Sequence, residues 1–392
     1  MGVQYDHAPG EHQEFFCQPQ VAQGTMVRAT AAGAFNALKL NTSYEQARID
    51  RNDNRPTAGL VSRISGMRKV AWDCEGYLIP SGTAGTAPDM QDLFQSVFGT
   101  EAVNGGTSVV YSLSSSQTLQ LNSIHRVAYP GGSGATALMM ESLIDAWVNE
   151  CKITFSGSDP HKVSFSGGAA RLVQTLRAQL NGAMVTSATM VVDTAQESFA
   201  EVDSIVTVGA NTNTGTGYRV TADASPSFTL EATLSAADDA VVAPYAPTPT
   251  LAGEPIAGIL GSFTFNGGAI AVTGGEVVIN NGLKPIEDQA FAVEVPDVVR
   301  GRRSVTGSFN MRVRADQLHA LGIRKNSNFT AIDCALVLGT AAGSICTIDM
   351  DRCELGFSAV EFPEEGEATV SVPFVCLEGS RTTDNAISLT FT

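Results

Sequence analysis

The stretch that most constrains the fold covers residues 61–99, VSRISGMRKVAWDCEGYLIPSGTAGTAPDMQDLFQSVFG. Apolar side chains take alternate positions in its first part: Val70, Trp72, Cys74 and Leu78. Polar or amphipathic side chains fall between them: Lys69, Asp73, Glu75 and Tyr77. Because side chains on a strand alternate between its two faces, this pattern predicts a strand with one buried and one solvated face.

The second part of the same stretch has a different period. The Gly, Pro and Ser residues of Pro80–Pro88 predict a loop. Apolar residues then recur at helical spacing: Met90, Leu93, Phe94, Val97 and Phe98. The whole stretch therefore predicts a strand, a loop and a short amphipathic helix that ends at Gly99.

Composition favours a β-rich protein. The 392 residues are rich in Gly, Ser, Thr and Val, and 16% of them are charged, which suits two or three mainly β domains. The formal net charge is −16, and most of it falls in the second half of the chain. Such a chain should repel nucleic acid, because binding relies on Lys and Arg side chains that neutralise phosphates.

Cysteine usage and the N-terminal sequence bear on the compartment. The seven cysteines form no CxxC motif, and several lie on the apolar phase of predicted strands. Both observations favour buried free thiols in a reducing compartment over disulfides or metal ligands. No secretory signal is visible in the first 16 residues, and no window approaches the roughly 20 apolar residues of a membrane span. We therefore expect a soluble protein made in a cytoplasm.

Later segments predict further β-structure. Cys151–Ser156 and Lys162–Ser166 alternate on either side of a turn at Gly157–Pro160, which predicts a hairpin. Residues 202–242 predict a compact β insert with strands near Ser204–Val208, Tyr218–Thr221 and Ser227–Leu230. The proline-rich run that follows, PYAPTPTLAGEP, predicts an extended, stiff connector.

The opening stretch has a counterpart at Val298–Gly322 (VVRGRRSVTGSFNMRVRADQLHALG). With Gly66 set against Gly301, the apolar positions coincide: Val70 with Val305, Cys74 with Phe309, and Leu78 with Val313. One position departs, where Trp72 meets Gly307. Each strand is followed by a helix-like segment, Asp89–Gly99 or Ala315–Gly322, and later by a hairpin that begins CKITFS or CELGFS. This shared order predicts two copies of one β fold, and chance alternation in two unrelated β domains is the alternative.

The sequence contains no recognisable catalytic constellation. HExxH, GxxxxGK[ST] and GxSxG motifs are missing, as is a GxGxxG between a strand and a helix. None of the five histidines has a second ligand at convincing metal spacing. The sequence therefore predicts a protein that is not an enzyme and has no metal and no cofactor.

The run from Ser65 to Gly99 resembles the major tail tube proteins of long-tailed, non-contractile bacteriophages. The likeness extends from about Phe35 to Phe391 and includes GYRVTA in the insert, the PYAPTPT connector and the closing ATVSVPFVCLE…ISLTF segment. It implies a β-sandwich or barrel with a flanking helix that assembles into six-fold rings. The inner strands of the rings line a channel for DNA, and the stacked rings form the tail.

The resemblance also implies an organisation for this chain. We expect an N-terminal arm (1–23), a first tube-like β domain (24–195), the β insert with its connector (196–256) and a second tube-like domain (257–392). Two such domains per chain would need three copies for a ring of six, so a trimeric, pseudo-hexameric ring is predicted. The implied partners are the protein itself, tape measure, terminator and distal tail proteins, and genomic DNA that passes without specific binding. The implied location is the virion, and the insert is expected on the outer surface.

Candidate site residues follow from the solvated strand phases. The candidates to face the lumen are Asp73, Glu75, Thr306, Ser308 and Asn310, with an outer solvated face as the alternative. An acidic lumen would keep DNA from sticking. Because Arg312 and Arg314 do not fit an acidic wall, we expect them to face a neighbouring subunit or to form ion pairs.

Two loops are candidates for contacts between subunits. The charge-dense run Arg48–Arg55 is either a solvated loop or a loop that grips a neighbouring copy, and its candidate residues are Arg48, Asp50, Arg51, Asp53 and Arg55. Together with Pro80–Pro88 it is also a candidate for stacking one ring on the next. Three other interpretations stay open: a secreted or surface β-sandwich adhesin that binds glycans, a hydrolase on a β scaffold, and another ring protein of the tail such as a terminator.

Overall fold

The computed structural model describes residues 12–50, 63–116, 118–131, 136–265, 267–287, 293–295, 297–314, 332–356, 360–362, 367–380 and 384–392. Strands dominate this part of the chain, and its one α-helix is short, so the predicted mainly β fold is confirmed. No helix in these ranges has the length and apolar character that a membrane span requires.

The N-terminal part of the chain contributes ten strands and the α-helix α1 (Gln91–Phe98). The strands are β1 (Gln13–Pro19), β2 (Ala34–Phe35), β3 (Lys39–Asp50), β4 (Arg63–Tyr77), β5 (Gly99–Asn104), β6 (Ser108–Leu113), β7 (Asn122–Ala128), β8 (Met139–Ser156), β9 (Lys162–Ala169) and β10 (Arg171–Leu176).

The middle of the chain forms a separate six-stranded sheet, in the order β11-β16-β13-β14-β15-β12. Its strands are β11 (Ala178–Gln179), β12 (Met184–Val191), β13 (Ile205–Val208), β14 (Tyr218–Ala224), β15 (Ser227–Ala236) and β16 (Val241–Pro244). This sheet has a core of its own, in which Phe199 packs edge-on against Phe228. It contains the three predicted insert strands and also β11 and β12, which precede residue 196; the division of the chain into domains stays a prediction.

The C-terminal part contributes eleven strands, of which β20 and β21 pair only with each other in the described residues. They are β17 (Gly261–Phe265), β18 (Gly268–Ile270), β19 (Val272–Asn280), β20 (Leu283–Pro285), β21 (Val298–Arg300), β22 (Ser304–Arg312), β23 (Ile332–Leu338), β24 (Cys346–Leu355), β25 (Val360–Glu361), β26 (Thr369–Cys376) and β27 (Ser388–Phe391).

The opening stretch folds as its pattern predicts. Val70, Trp72 and Cys74 are buried on one face of β4, and Asp73 is exposed on the other. Helix α1 ends at Gly99, whose left-handed φ of 97° suits glycine. Phe94 of α1 packs among the rings of Tyr111, Phe165 and Phe391, so the helix covers the apolar side of the sheet.

Two sets of four strands have the same pairing order. In the first set, β4 lies between β3 and β9, and β9 pairs in turn with β8. In the second set, β22 lies between β19 and β26, and β26 pairs with β24. The strands also follow each other along the chain in the same order, so both sets are antiparallel sheets of one topology. The helix predicted at 315–322, in the second copy, lies outside the described residues.

Residues 13–19 belong to a strand, whereas the sequence predicts an irregular arm over residues 1–23. They form β1, which pairs with β7 along its whole length. The reason is apolar burial: Phe15, Phe16 and Cys17 are all buried. All seven cysteines are buried free thiols.

Candidate assembly surface

The two strand sets are joined side by side. Residues Glu150–Ser156 of β8 pair antiparallel with Gly274–Asn280 of β19, so that Ile153 lies opposite Val277. The result is one run of eight neighbouring strands, β3-β4-β9-β8-β19-β22-β26-β24, in which each strand is antiparallel to the next. Strand β25 continues the last edge, because it pairs with β26 beyond the end of β24.

One side of this run is solvated over its whole width, and we call it the polar face. Because directly paired residues share a face, the strand registers define rows of side chains across it. One row contains Asn41, Asp73, Ser166, Glu150, Asn280 and Ser304. The next contains Lys39, Glu75, Ser164, Lys152, Val278 and Thr306.

All five residues expected at the lumen lie on the polar face. Asp73 and Glu75 hold the positions in β4 that Ser308 and Asn310 hold in β22 when the two strands are matched. Four strand steps separate β4 from β22, which amounts to about 19 Å at the usual strand spacing. The structure therefore brings both groups onto one surface, although no contact joins them directly.

The charges on the polar face are paired. Glu75 lies between Lys39 and Lys162, with N–O distances of 3.1 and 3.2 Å, and its hydrogen bonds to these two lysines lower its pKa. Across the junction of the two sets, Lys152 pairs with Glu276. The described part of this face is therefore a mixed, ion-paired surface.

Arg312 and Arg314 lie near the end of β22 and are exposed. Arg312 forms an ion pair with Glu367 (Nε–Oε2 3.0 Å), one of the two outcomes that the sequence allowed. Both partners are largely exposed, so this pair should contribute little to stability.

The charge-dense run begins at the end of the β3–β4 hairpin. Arg48 and Asp50 are exposed on β3, whereas Arg51, Asp53 and Arg55 lie outside the described residues. Strand β9 pairs with β4 only as far as the Val70–Ala169 pair. Strands β3 and β4 stay paired beyond that point, as far as Asp50 and Arg63, so the hairpin extends past β9. The loop at Pro80–Pro88 follows Tyr77, at the end of β4 opposite to the Asp50–Arg63 pair.

The run of strands has two edges. In the described residues β3 pairs only with β4, and the far edge consists of the end of β24 together with β25. Edge strands present unpaired N–H and C=O groups that can pair with another chain. The surface therefore combines a wide solvated face with one open edge at each side.

Comparison with known proteins decides the family. The model of the phage tail tube protein family matches residues 19–376, which is nearly the whole chain. The chain belongs to the phage tail tube protein family. A search of curated proteins found no match.

As a tail tube protein, the chain is a structural component of the virion that associates with itself into a tube and with other tail proteins. The polar face and the two edges are then candidate assembly features and not a catalytic site. No group of three or more His, Cys, Asp or Glu side chains in the described ranges is placed to hold a metal ion.

Sequence reasoning missed the basic residues of this tail tube protein's polar face. Lys39, Lys152 and Lys162 all lie on solvated strand phases, which was a visible signal. Their partners could not be found in the same way, because Lys39 and Lys162 reach Glu75 from two different strands. Only the register of three strands shows that these charges cancel.

Proposed function

We propose that three copies of this chain close into a ring of six four-stranded units, that such rings stack into the tail tube, and that the polar face lines the lumen through which DNA is ejected. The observation that carries the proposal is the β8–β19 pairing, which joins one strand set to the next within the chain. The same junction, repeated between chains, would join the far edge of one copy to β3 of the next.

The direction of the strands supports this junction. Neighbouring strands alternate in direction across the run, so the β24–β25 edge would meet β3 of the next copy antiparallel, as β8 meets β19. Closure would pair both open edges of every copy and would remove exposed edges from the assembly. Twenty-four strands about 4.8 Å apart would form a circle at least about 37 Å across, which is wide enough for a DNA duplex.

The register within the chain predicts the register between chains. Glu361 pairs with Thr369 in the second set, as Thr154 pairs with Lys162 in the first. On its other side Thr154 lies opposite Glu276 of β19. Asn41 holds the same position in β3, because Glu276 pairs with Ser308 and Asn41 pairs with Asp73, the residue that matches Ser308. Asn41 of one copy should therefore lie opposite Glu361 of its neighbour.

The ion pairs on the polar face fit a conduit. A lysine that is already paired with a glutamate attracts phosphate weakly, whereas Asp73 and Glu150 add negative charge to the same face. DNA would then slide past without specific binding.

Electron microscopy of the purified protein tests the proposal. Hollow tubes, or rings with a central channel, are the expected result. A chain that stays monomeric at high concentration and binds oligosaccharide would overturn it in favour of the adhesin interpretation.

A further inference from the structure

Two cysteines lie directly opposite each other on β24 and β26, and we call them the cysteine pair: Cys353 and Cys376. Their sulfur atoms are 3.4 Å apart, in contact but not bonded. In the described strand registers the other five cysteines face residues of other types; Cys151, for example, lies between Phe165 and Ile279. The cysteine pair is therefore the place where one thiol faces another across two strands.

The backbone beside the cysteine pair brings the two side chains close together. The N–H of Leu377 donates to the carbonyl of Arg352 (2.7 Å), so these two residues form a hydrogen-bonded pair. Hydrogen-bonded and non-hydrogen-bonded pairs alternate along antiparallel strands, which makes Cys353 and Cys376 a non-hydrogen-bonded pair. Opposite Cα atoms are closest at such pairs, about 4.5 Å apart, and a disulfide can span that distance.

The two thiols differ in their access to solvent. Cys376 is 6% exposed and lines a cavity of about 590 Å³, whereas Cys353 is 0% exposed. The exposed residues Ser115 and Arg302 line the same cavity, so it opens to solvent. A molecule as small as hydrogen peroxide can therefore reach Cys376, and Cys353 lies behind it.

We propose that Cys353 and Cys376 form a disulfide when the folded protein meets a peroxide. In the first half of the step, an S–O bond forms at Cys376, the O–O bond breaks, and the thiol proton leaves with hydroxide as water. In the second half, the sulfur of Cys353 attacks that of Cys376, the S–O bond breaks, and the second thiol proton leaves with hydroxide as water. Two thiols and one hydrogen peroxide thus give one disulfide and two waters; the sulfurs lose two electrons and the peroxide gains them.

Hydrogen bonds among three thiols bear on the rate of each half. Bonds from Cys334 and Cys376 lower the pKa of Cys353, which favours its thiolate, the nucleophile of the second half. The bond to Cys353 raises the pKa of Cys376, so the first half should be slow and take hours. Thiols stay reduced in a cytosol, whereas a component of a virion meets oxidising surroundings outside a cell. The cysteine pair therefore suits a bond that forms late, in the finished particle.

The bond would strengthen a short junction at the edge of the strand run. Strand β24 pairs with β26 through three residue pairs in the described part of the chain, from Cys353–Cys376 to Leu355–Phe374. The earlier part of β24 pairs with β23 and β27 instead. A disulfide between the two cysteines restricts the unfolded chain, so it should raise the melting temperature of the subunit by about 4 °C.

Thiol counting by mass spectrometry tests the inference on the unmodified chain. The folded protein is kept with hydrogen peroxide for hours, then denatured and alkylated, and is compared with protein kept in a reductant. The treated chain should carry two fewer labels. The tryptic peptide that begins at Cys353 and ends at Arg381 contains both cysteines and should be unlabelled and lighter by two hydrogens. Dithiothreitol should restore the labels and cancel the rise in melting temperature.

Two variants assign the bond to its residues. Cys376→Ala should lose no labels under the same treatment. Cys346→Ala is the matched control, because it removes a buried thiol that faces Leu338 and Phe391, and it should still lose two labels. An unmodified chain that keeps all its labels, a disulfide that joins Cys334 instead, or an unchanged melting temperature of the oxidised chain would overturn the inference. None of these outcomes bears on the proposed ring, since the bond lies within one chain.

Discussion

Phe374 lies directly over Gly307, its cross-strand partner in β22. A Cβ atom on Gly307 would lie 2.3 Å from Cζ of Phe374 and 2.4 Å from the carbonyl oxygen of Glu276. In the first strand set the equivalent pair is Trp72 opposite Gly167. The aromatic residue thus lies on β4 in the first set and on β26 in the second. In both sets a glycine of the neighbouring strand lies opposite it. The one departure in the sequence comparison, Trp72 against Gly307, is a compensated exchange.

Gly307→Ala should destabilise the folded subunit by about 1–3 kcal/mol, because the added methyl group overpacks a tight contact with backbone on one side. Urea unfolding of the unassembled chain measures this change. Gly105→Ala is the matched control, since nothing lies within 4 Å of a Cβ at that position, and it should stay within about 0.5 kcal/mol of the unmodified protein. Equal effects of the two substitutions would contradict the packing described for Gly307.

A buried histidine should make stability depend on pH. His125 is fully buried; its Nε2–H donates to the carbonyl of Val27 (2.9 Å) and its Nδ1 accepts from the hydroxyl of Ser142 (2.9 Å). Burial lowers its pKa from 6.5 to about 4, so the folded state keeps the neutral ring. The unfolded chain takes up a proton below pH 6.5, and the stabilisation present above that pH is therefore lost as the pH falls towards 4.

The expected loss is about 3 kcal/mol between pH 7.5 and pH 4. His125→Asn should lower stability at neutral pH and should remove this part of the pH dependence. Burial also lowers the pKa of His161, but that residue is present in both proteins, so its contribution cancels in the comparison. Parallel pH curves for the two proteins would show that His125 is not buried as a neutral ring.

The ion pairs of the polar face should control how strongly tubes hold DNA. Glu75→Gln leaves Lys39 and Lys162 without their carboxylate, and Glu276→Gln does the same for Lys152. Tubes with both substitutions should retain DNA fragments at low salt. The slope of the logarithm of the binding constant against the logarithm of the salt concentration should become steeper by about 0.9 for each phosphate neutralised. Sedimentation of tubes with labelled DNA provides the measurement.

Glu231→Gln is the control for this experiment, because it frees Arg28 at a place away from the polar face. It should leave DNA retention unchanged. If Glu231→Gln and the double variant retained DNA equally, the polar face would not be the surface that meets DNA.

Local structure could be predicted well from this sequence. The phase of β4, the hairpin of β8 and β9 and the end of α1 at Gly99 all follow from alternation, turn residues and helix-stop signals. These are short-range properties, in which the residues that decide the structure are neighbours in the chain.

The relations between strands could not be predicted, because they depend on long-range register. The sequence matches CKITFS with CELGFS and so sets Cys151 against Cys353. In the structure Cys151 lies opposite Phe165, which pairs on its other side with Cys74. Cys353 lies opposite Cys376, which pairs on its other side with Val305, the counterpart of Val70 and not of Cys74. The two segments are therefore offset when the strand sets are aligned. In the same way, alternation placed Glu75 on the solvated face but did not show that two lysines neutralise it.

A cysteine pair at Asn41 and Glu361 tests the central claim most directly. Both positions are exposed, and they should face each other only across the junction between copies. Oxidation of assembled tubes should give a ladder of disulfide-linked chains that ends at three, and a pair shifted in register, Glu45 and Glu361, should give much less product. A ladder that continues to six chains, or no cross-link in intact tubes, would contradict the trimeric ring.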